Sequence, residues 1–145
     1  MPINPTDTQN PASPLAGNGL RQVPVGLLPE LADAAWRAGF LVSHVALDAV
    51  HDKRGLLTAF AQGLCFPQWV GQNWDALADA LDDLSWLDGP AHALLVDGAA
   101  GLRAQAPDAL ATLVEIIEEV AARRAAAGLP FQVFLSEQAM PLDAG

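Results

Sequence analysis

The sequence predicts an α/β fold: a small three-stranded parallel sheet flanked by helices, with an extra helix on its N-terminal side. Three observations carry this. Short runs rich in Val, Leu and Phe, at 41–47, 92–97 and 131–135, read as buried strands. Amphipathic helical stretches separate those runs, as parallel crossovers require. The 145 residues, with 52% hydrophobic and 17% charged side chains, suit one core and exclude a chain disordered throughout.

Residues 1–22 hold Pro2, Pro5, Pro11 and Pro14 and few large apolar side chains. Such a segment cannot offset its ordering entropy, so it is expected to be a disordered tail ahead of a domain at 23–140. A first helix at about 27–39 has Pro29 in its first turn, Leu31, Ala34, Ala35 and Ala38 at helical spacing, and Gly39 as its stop. Trp36 is expected in the core there. The first strand, 41–47, follows, and His44 within it reads as a core histidine. Asp52 can cap the next helix, which carries Leu56, Leu57, Phe60, Ala61 and Leu64 on one side and ends by Gly63 and Pro67. Cys65, beside Phe66, reads as a buried structural thiol. Gly71 and Asn73 mark a tight turn, and Asn73 can cap a helix running to about Leu84. The strand at 92–97 comes next. Pro107 and Asp108 open a long helix to about Ala127, with Leu110, Leu113, Val114, Ile117, Val120 and Ala121 as its buried stripe. Gly128 and Pro130 close it before the strand at 131–135. The expected core includes Leu57, Phe60, Leu77, Leu81, Leu95, Val114, Ile117 and Phe134.

There are 17 acids against 7 bases, a net charge of −10. Nucleic-acid binders need a Lys/Arg surface, so neither nucleic acid nor an anionic membrane is an expected partner. A positively charged partner is. The single cysteine excludes an internal disulfide and fits a reducing compartment. The N-terminal stretch has neither the basic start nor the apolar run of a secretory signal, and no apolar stretch is long enough to span a bilayer. The expected location is the cytoplasm.

The informative segment runs from Trp69 to Trp86. On a helix, Asp75, Asp79, Asp82 and Asp83 fall within about a quarter of the circumference, with Leu77, Leu81 and Leu84 opposite. A face with one sign of charge works against its own helix. Like charges at i,i+4 cost roughly 0.2–0.5 kcal/mol per pair, and acids near the C-terminus oppose the helix dipole. No Lys or Arg occurs between Gly55 and Leu102, so nothing nearby in sequence neutralises the stripe. A solvated acidic face that keeps the protein in solution is the plain reading. The flanking Trp69 and Trp86 favour a surface for a cationic partner, since interfaces enrich tryptophan. Either tryptophan could instead anchor the core, and Trp74, on the apolar side, is expected to do so.

Pro67-x-Trp69-x-Gly71-x-Asn73-x-Asp75-Ala76-Leu77-x-Asp79 resembles the signature of barstar-related proteins, inhibitors of small basic ribonucleases of the barnase type. The similarity runs from about Leu41 to Ser136. The resemblance implies a three-stranded parallel sheet with packed helices. It also implies an intracellular inhibitor whose acidic helix enters a ribonuclease active site, its carboxylates standing in for RNA phosphates, in a 1:1 complex formed by a monomer. Asp79 would be the central carboxylate and Asp75 its companion one turn earlier. Trp69 occupies the place of an aromatic that packs on the catalytic histidine, and Trp86 approximates an aromatic beyond the helix. Gly71 and Asn73 would shape the loop, with Asp82 and Asp83 as additional rim acids. Ala78 stands where the type member carries a tryptophan, and Arg123 where the family has a glutamate. A barstar-like module binding a basic protein other than a ribonuclease is the alternative.

Other classes fit less well. Asp75 and Asp79 are one turn apart, but carboxylate-pair catalysis needs two environments that separate their pKa values, and an exposed stripe supplies one. There is no Gly-rich phosphate loop, and Cys65, His44, His51 and His92 lack metal-ligand spacing. An enzyme, a cofactor and a metal are therefore not expected. Asp82, Asp83 and Asp88 could offer oxygen ligands to calcium, but Asp88-Gly89 is only a fragment of a calcium loop.

Overall fold

The computed structural model describes residues 18–141. The elements in chain order are β1 (Gly19–Gln22), a 3-10 turn (Val25–Leu27), α1 (Leu28–Arg37), β2 (Leu41–Ala46), α2 (Lys53–Gly63), α3 (Trp74–Asp83), β3 (His92–Asp97), α4 (Ala100–Gln105), α5 (Pro107–Ala126) and β4 (Phe131–Leu135). All strands are parallel, in the order β1-β4-β3-β2.

The sheet has four strands, not three. The additional one, β1, lies inside the segment expected to be tail. Gly19–Gln22 is only four residues, with Leu20 its one large apolar side chain, so it carries no strand signal of its own. It pairs with β4, from Gly19↔Gln132 to Gln22↔Leu135, and Asn18 Nδ2 donates to the carbonyls of Ala121 and Leu129. Those partners are over 100 residues away in sequence. The remainder of the expected tail, 1–17, lies outside the described residues.

Helices cover both faces. Every residue of β3 and β4 is buried, as central strands of a parallel sheet should be. Leu94 and Val96 of β3, with Val133 and Leu135 of β4, point to the larger core beneath α2, α3 and α5, where Phe60, Leu77, Leu81, Leu113 and Ile117 pack. Leu95 and Phe134 point the other way and meet Leu28 and Leu31 of α1. Most of the expected core residues are buried; Val114 is the exception, half-buried, with Ile116 taking its share of the stripe. Gly39 and Gly128 follow α1 and α5 with φ of +92° and +75°, the left-handed stop that glycine adopts at least cost.

Three local expectations fail. Trp36 is 66% exposed, because Leu28, Leu31 and Ala35 set the buried phase of α1 and Trp36 falls about 100° away from Ala35. Cys65 is exposed, its backbone in the left-handed region at φ +54° as the chain leaves α2. His44 is half-exposed on the edge strand β2, its Nε2 2.9 Å from Asp97 Oδ1. Among the described residues no helix is long and apolar enough to cross a membrane.

Candidate partner-binding site

α3 is positioned from both ends. At its start Asn73 Oδ1 accepts the Ala76 N–H at 2.7 Å, the expected cap. A Cβ on Gly71 would lie 3.2 Å from Asn73 Nδ2 and 3.6 Å from the Ala76 Cβ, so a side chain there would crowd that cap. Leu77, Ala80 and Leu81 turn into the core. The acids consequently turn outward: Asp75, Asp79 and Asp83 are exposed, and Asp82 is half-buried.

The far end is held by two arginines of α5: sequence reasoning missed Arg124 altogether and missed the contact that Arg123 makes. Arg124 is buried, and its Nη1 donates to Asp82 O at 3.0 Å and Leu81 O at 3.5 Å while Nη2 donates to Pro90 O at 3.1 Å. It thus caps the carbonyls of the last turn and ties them to the entry of β3. Its guanidinium carbon lies 5.5 Å from the Phe131 ring centroid. Burial pushes the guanidinium pKa below its ordinary range, opposed by the nearby Asp82 and Asp83 carboxylates. Arg123 grips Asp82: Nε lies 3.1 and 3.0 Å from the two carboxylate oxygens, and Nη2 lies 3.0 Å from Oδ2. The helix ends on Leu84, buried and left-handed at φ +49°.

The expectation that nothing neutralises the stripe holds only along the local sequence. The fold brings Arg123 across from 41 residues away, and it engages Asp82. Asp82 is therefore already paired, and Asp83 accepts only the Ser85 hydroxyl, at 3.1 Å. Asp75 and Asp79 have no hydrogen bond or salt bridge among the described residues. Asp79 is near enough to Arg123 to raise the arginine's pKa, after the larger effect of the Asp82 hydrogen bond.

The aromatic wall is built on the other side. Trp86 is half-buried; its indole N–H donates to Leu64 O at 2.9 Å, and its ring meets Phe66 edge-on at 5.7 Å. Trp69 stands edge-on to Trp86 at 6.4 Å and is itself 74% exposed. Trp86 is thus the support and Trp69 the presented surface. Trp69, Val70 and Gly71 face Ala76, Asp79, Ala80 and Asp83 across a cleft of about 310 Å³. Trp74 is half-buried and packs against the edge of the core, with Lys53 Nζ 5.4 Å from its ring centroid. The cleft offers an indole, a small apolar floor and two carboxylates, which suits a cationic or imidazolium side chain. Among the described residues no group of three or more His, Cys, Asp or Glu is placed to hold a metal.

A family model described as Barstar (barnase inhibitor) matches residues 40–136. The chain belongs to the barstar family. The barstar match contains the whole cleft and both arginines, and it begins after α1. Among solved structures the chain is similar to the ORC2 protein of Aeropyrum pernix in ADPNP–ADP complexes, at 19% identity and a TM-score of 0.59. That similarity covers 87% of this chain and 36% of ORC2, and it concerns the fold alone. No curated protein matches the chain.

Proposed function

We propose that this barstar-family protein is a non-enzymatic, intracellular inhibitor that blocks the active site of a small basic ribonuclease with the exposed face of α3. The observation that carries the reading is the cleft between Trp69 and the Asp79–Asp83 side of α3. It presents the Asp79 carboxylate and the Asp83 carboxylate, the latter bonded to the Ser85 hydroxyl, beside an aromatic wall on a rigid, twice-anchored helix. Such a surface is preorganised for a cluster of cations, and preorganisation lowers the entropic cost of docking. Asp79 is the central anchor, Asp75 and Asp83 are flanking acids, and Trp69 packs on the partner. Asp82 contributes mainly through Arg123, by fixing the helix. The complex is a 1:1 pair formed by the monomer.

The test is affinity capture from the producing organism's lysate at low and high salt. The reading requires a basic ribonuclease retained at low salt, released at high salt and inhibited stoichiometrically in an RNA-cleavage assay. A retained basic protein without ribonuclease activity would favour a barstar-fold module that serves a different partner.

A further inference from the structure

We infer that the partner seated on the α3 cleft also inserts an uncharged aromatic side chain, of tyrosine type, into an adjoining second cleft between α2 and the 66–72 loop. The inference rests on the reading of α3 above as a partner-binding face. The second cleft has a volume of about 180 Å³. Leu57 of α2 and Leu77 of α3, both buried, line it with Phe66 and Pro67. Gln68 and Gln72 add two exposed side-chain amides.

The two clefts meet at the loop. Val70 and Gly71 line both. Phe66, in the second cleft, meets Trp86 edge-on at 5.7 Å, and Trp86 in turn supports Trp69 of the first. A partner resting on Trp69 therefore already borders the second cleft. The loop is braced: the Phe66 N–H donates to Ala61 O at 2.9 Å and the Val70 N–H to Pro67 O at 3.1 Å. Both clefts are thus formed before docking, which spares the cost of ordering the loop. Size favours the extension too. A specific interface engages roughly 20–30 residues a side, more than the outward face of the 10-residue α3 supplies.

Chemistry identifies the occupant. Asp79 and Asp83 line the first cleft, and no charged residue lines the second. A cation is drawn to the first, and an uncharged group fits the second. An apolar cavity of about 150 Å³ holds a benzene ring, so the space takes one aromatic side chain. The Gln68 and Gln72 amides make no hydrogen bond among the described residues. Each can donate to or accept from a phenolic hydroxyl at the rim. Tyrosine combines that ring with that hydroxyl and is enriched at interfaces. This chain contains no tyrosine, so neither a second copy nor another segment of the same chain supplies it.

The experiment titrates the isotope-labelled full chain with p-cresol, the tyrosine side chain, and separately with argininamide, following the amide signals. p-Cresol is expected to shift Gln72 and Leu77 and to leave Asp83 in place. Argininamide is expected to shift Asp79, Asp83 and the Trp69 indole. Toluene, which lacks the hydroxyl, is expected to bind about fivefold more weakly than p-cresol. Ala61→Leu, which fills the second cleft from α2, is expected to abolish the p-cresol shifts and keep the argininamide shifts. Argininamide shifts with none from p-cresol, or p-cresol shifts that survive Ala61→Leu, would overturn the second cleft and leave the α3 reading intact. Toluene binding as tightly as p-cresol would overturn the tyrosine assignment. Argininamide that shifts nothing on α3 would remove the reading on which the inference rests.

Discussion

Arg124 bears on the site from inside the fold, where it is buried. Its fork satisfies three carbonyls where α3 ends and β3 begins, and its charge complements the helix dipole there. Arg124→Leu would leave those carbonyls without donors, at ~1–3 kcal/mol for each unmet buried group with partial relaxation. The expected loss is about 2–4 kcal/mol by urea denaturation, with Arg124→Lys between that and wild type. His92 lies on the same segment. Its Nε2–H donates to Gly89 O at 3.0 Å and Nδ1 is buried without a partner. Burial, then the Arg124 charge, depresses its pKa below the ordinary 6.5, against a smaller rise from the Gly89 carbonyl. The unfolded chain therefore binds the proton more readily than the fold. Stability is whole above the unfolded pKa and is lost as pH falls through the folded one. Wild type should lose stability as pH falls below about 6.5, the ordinary imidazole value, and His92→Gln should flatten that slope. A slope unchanged in the variant would place the titrating group elsewhere. Glu137, held low chiefly by its hydrogen bond from Arg103, adds a second loss only at more acidic pH.

At the scale of the element, the four aspartates of α3 separate into two kinds. Asp82 sits in a two-pronged ion pair with Arg123, whereas Asp83 meets only Ser85. Asp82→Lys should cost about 1 kcal/mol, the loss of an exposed pair plus new repulsion from Arg123. Asp83→Lys should be neutral or stabilising by a few tenths of a kcal/mol, because it suits the helix C-terminus. Equal effects in chemical denaturation would contradict this division. The sequence alone points to symmetry between these two acids, since no local rule reaches a partner 41 residues away. What periodicity does reveal is the phase of α3: Leu77 and Leu81 inward require Asp75 and Asp79 outward, and Asn73 announces the cap. Trp36 was not legible: it lies off the Leu28–Leu31–Ala35 stripe, but the surrounding alanines hid that phase. β1 was not legible, because its four residues, only one of them a large apolar side chain, owe their strand to β4. Neither was α4, an Ala- and Gly-rich turn of helix without a side-chain cap.

For the whole molecule, acidity and shape act together. A net charge of −10, concentrated where Gly55 to Leu102 lacks any base, should steer a cationic partner from a distance. Screening beyond ~8–10 Å in physiological salt means the association rate should fall steeply with ionic strength. Asp83→Asn should lower that rate and its salt dependence with little change in dissociation, as rim charges do. On the proposed reading Asp79 would belong to the other class, a carboxylate lining the cleft that loses its water when a partner docks there. The most direct measurement is the dissociation rate of Asp79→Ala from the captured basic partner, against wild type. The account predicts faster dissociation worth roughly 2–5 kcal/mol, the general range for a desolvated charge pair broken on one side, of which barstar complexes are the type case. If Asp79→Ala leaves the partner as slowly as wild type does, the acidic face of α3 is not the inhibitory surface.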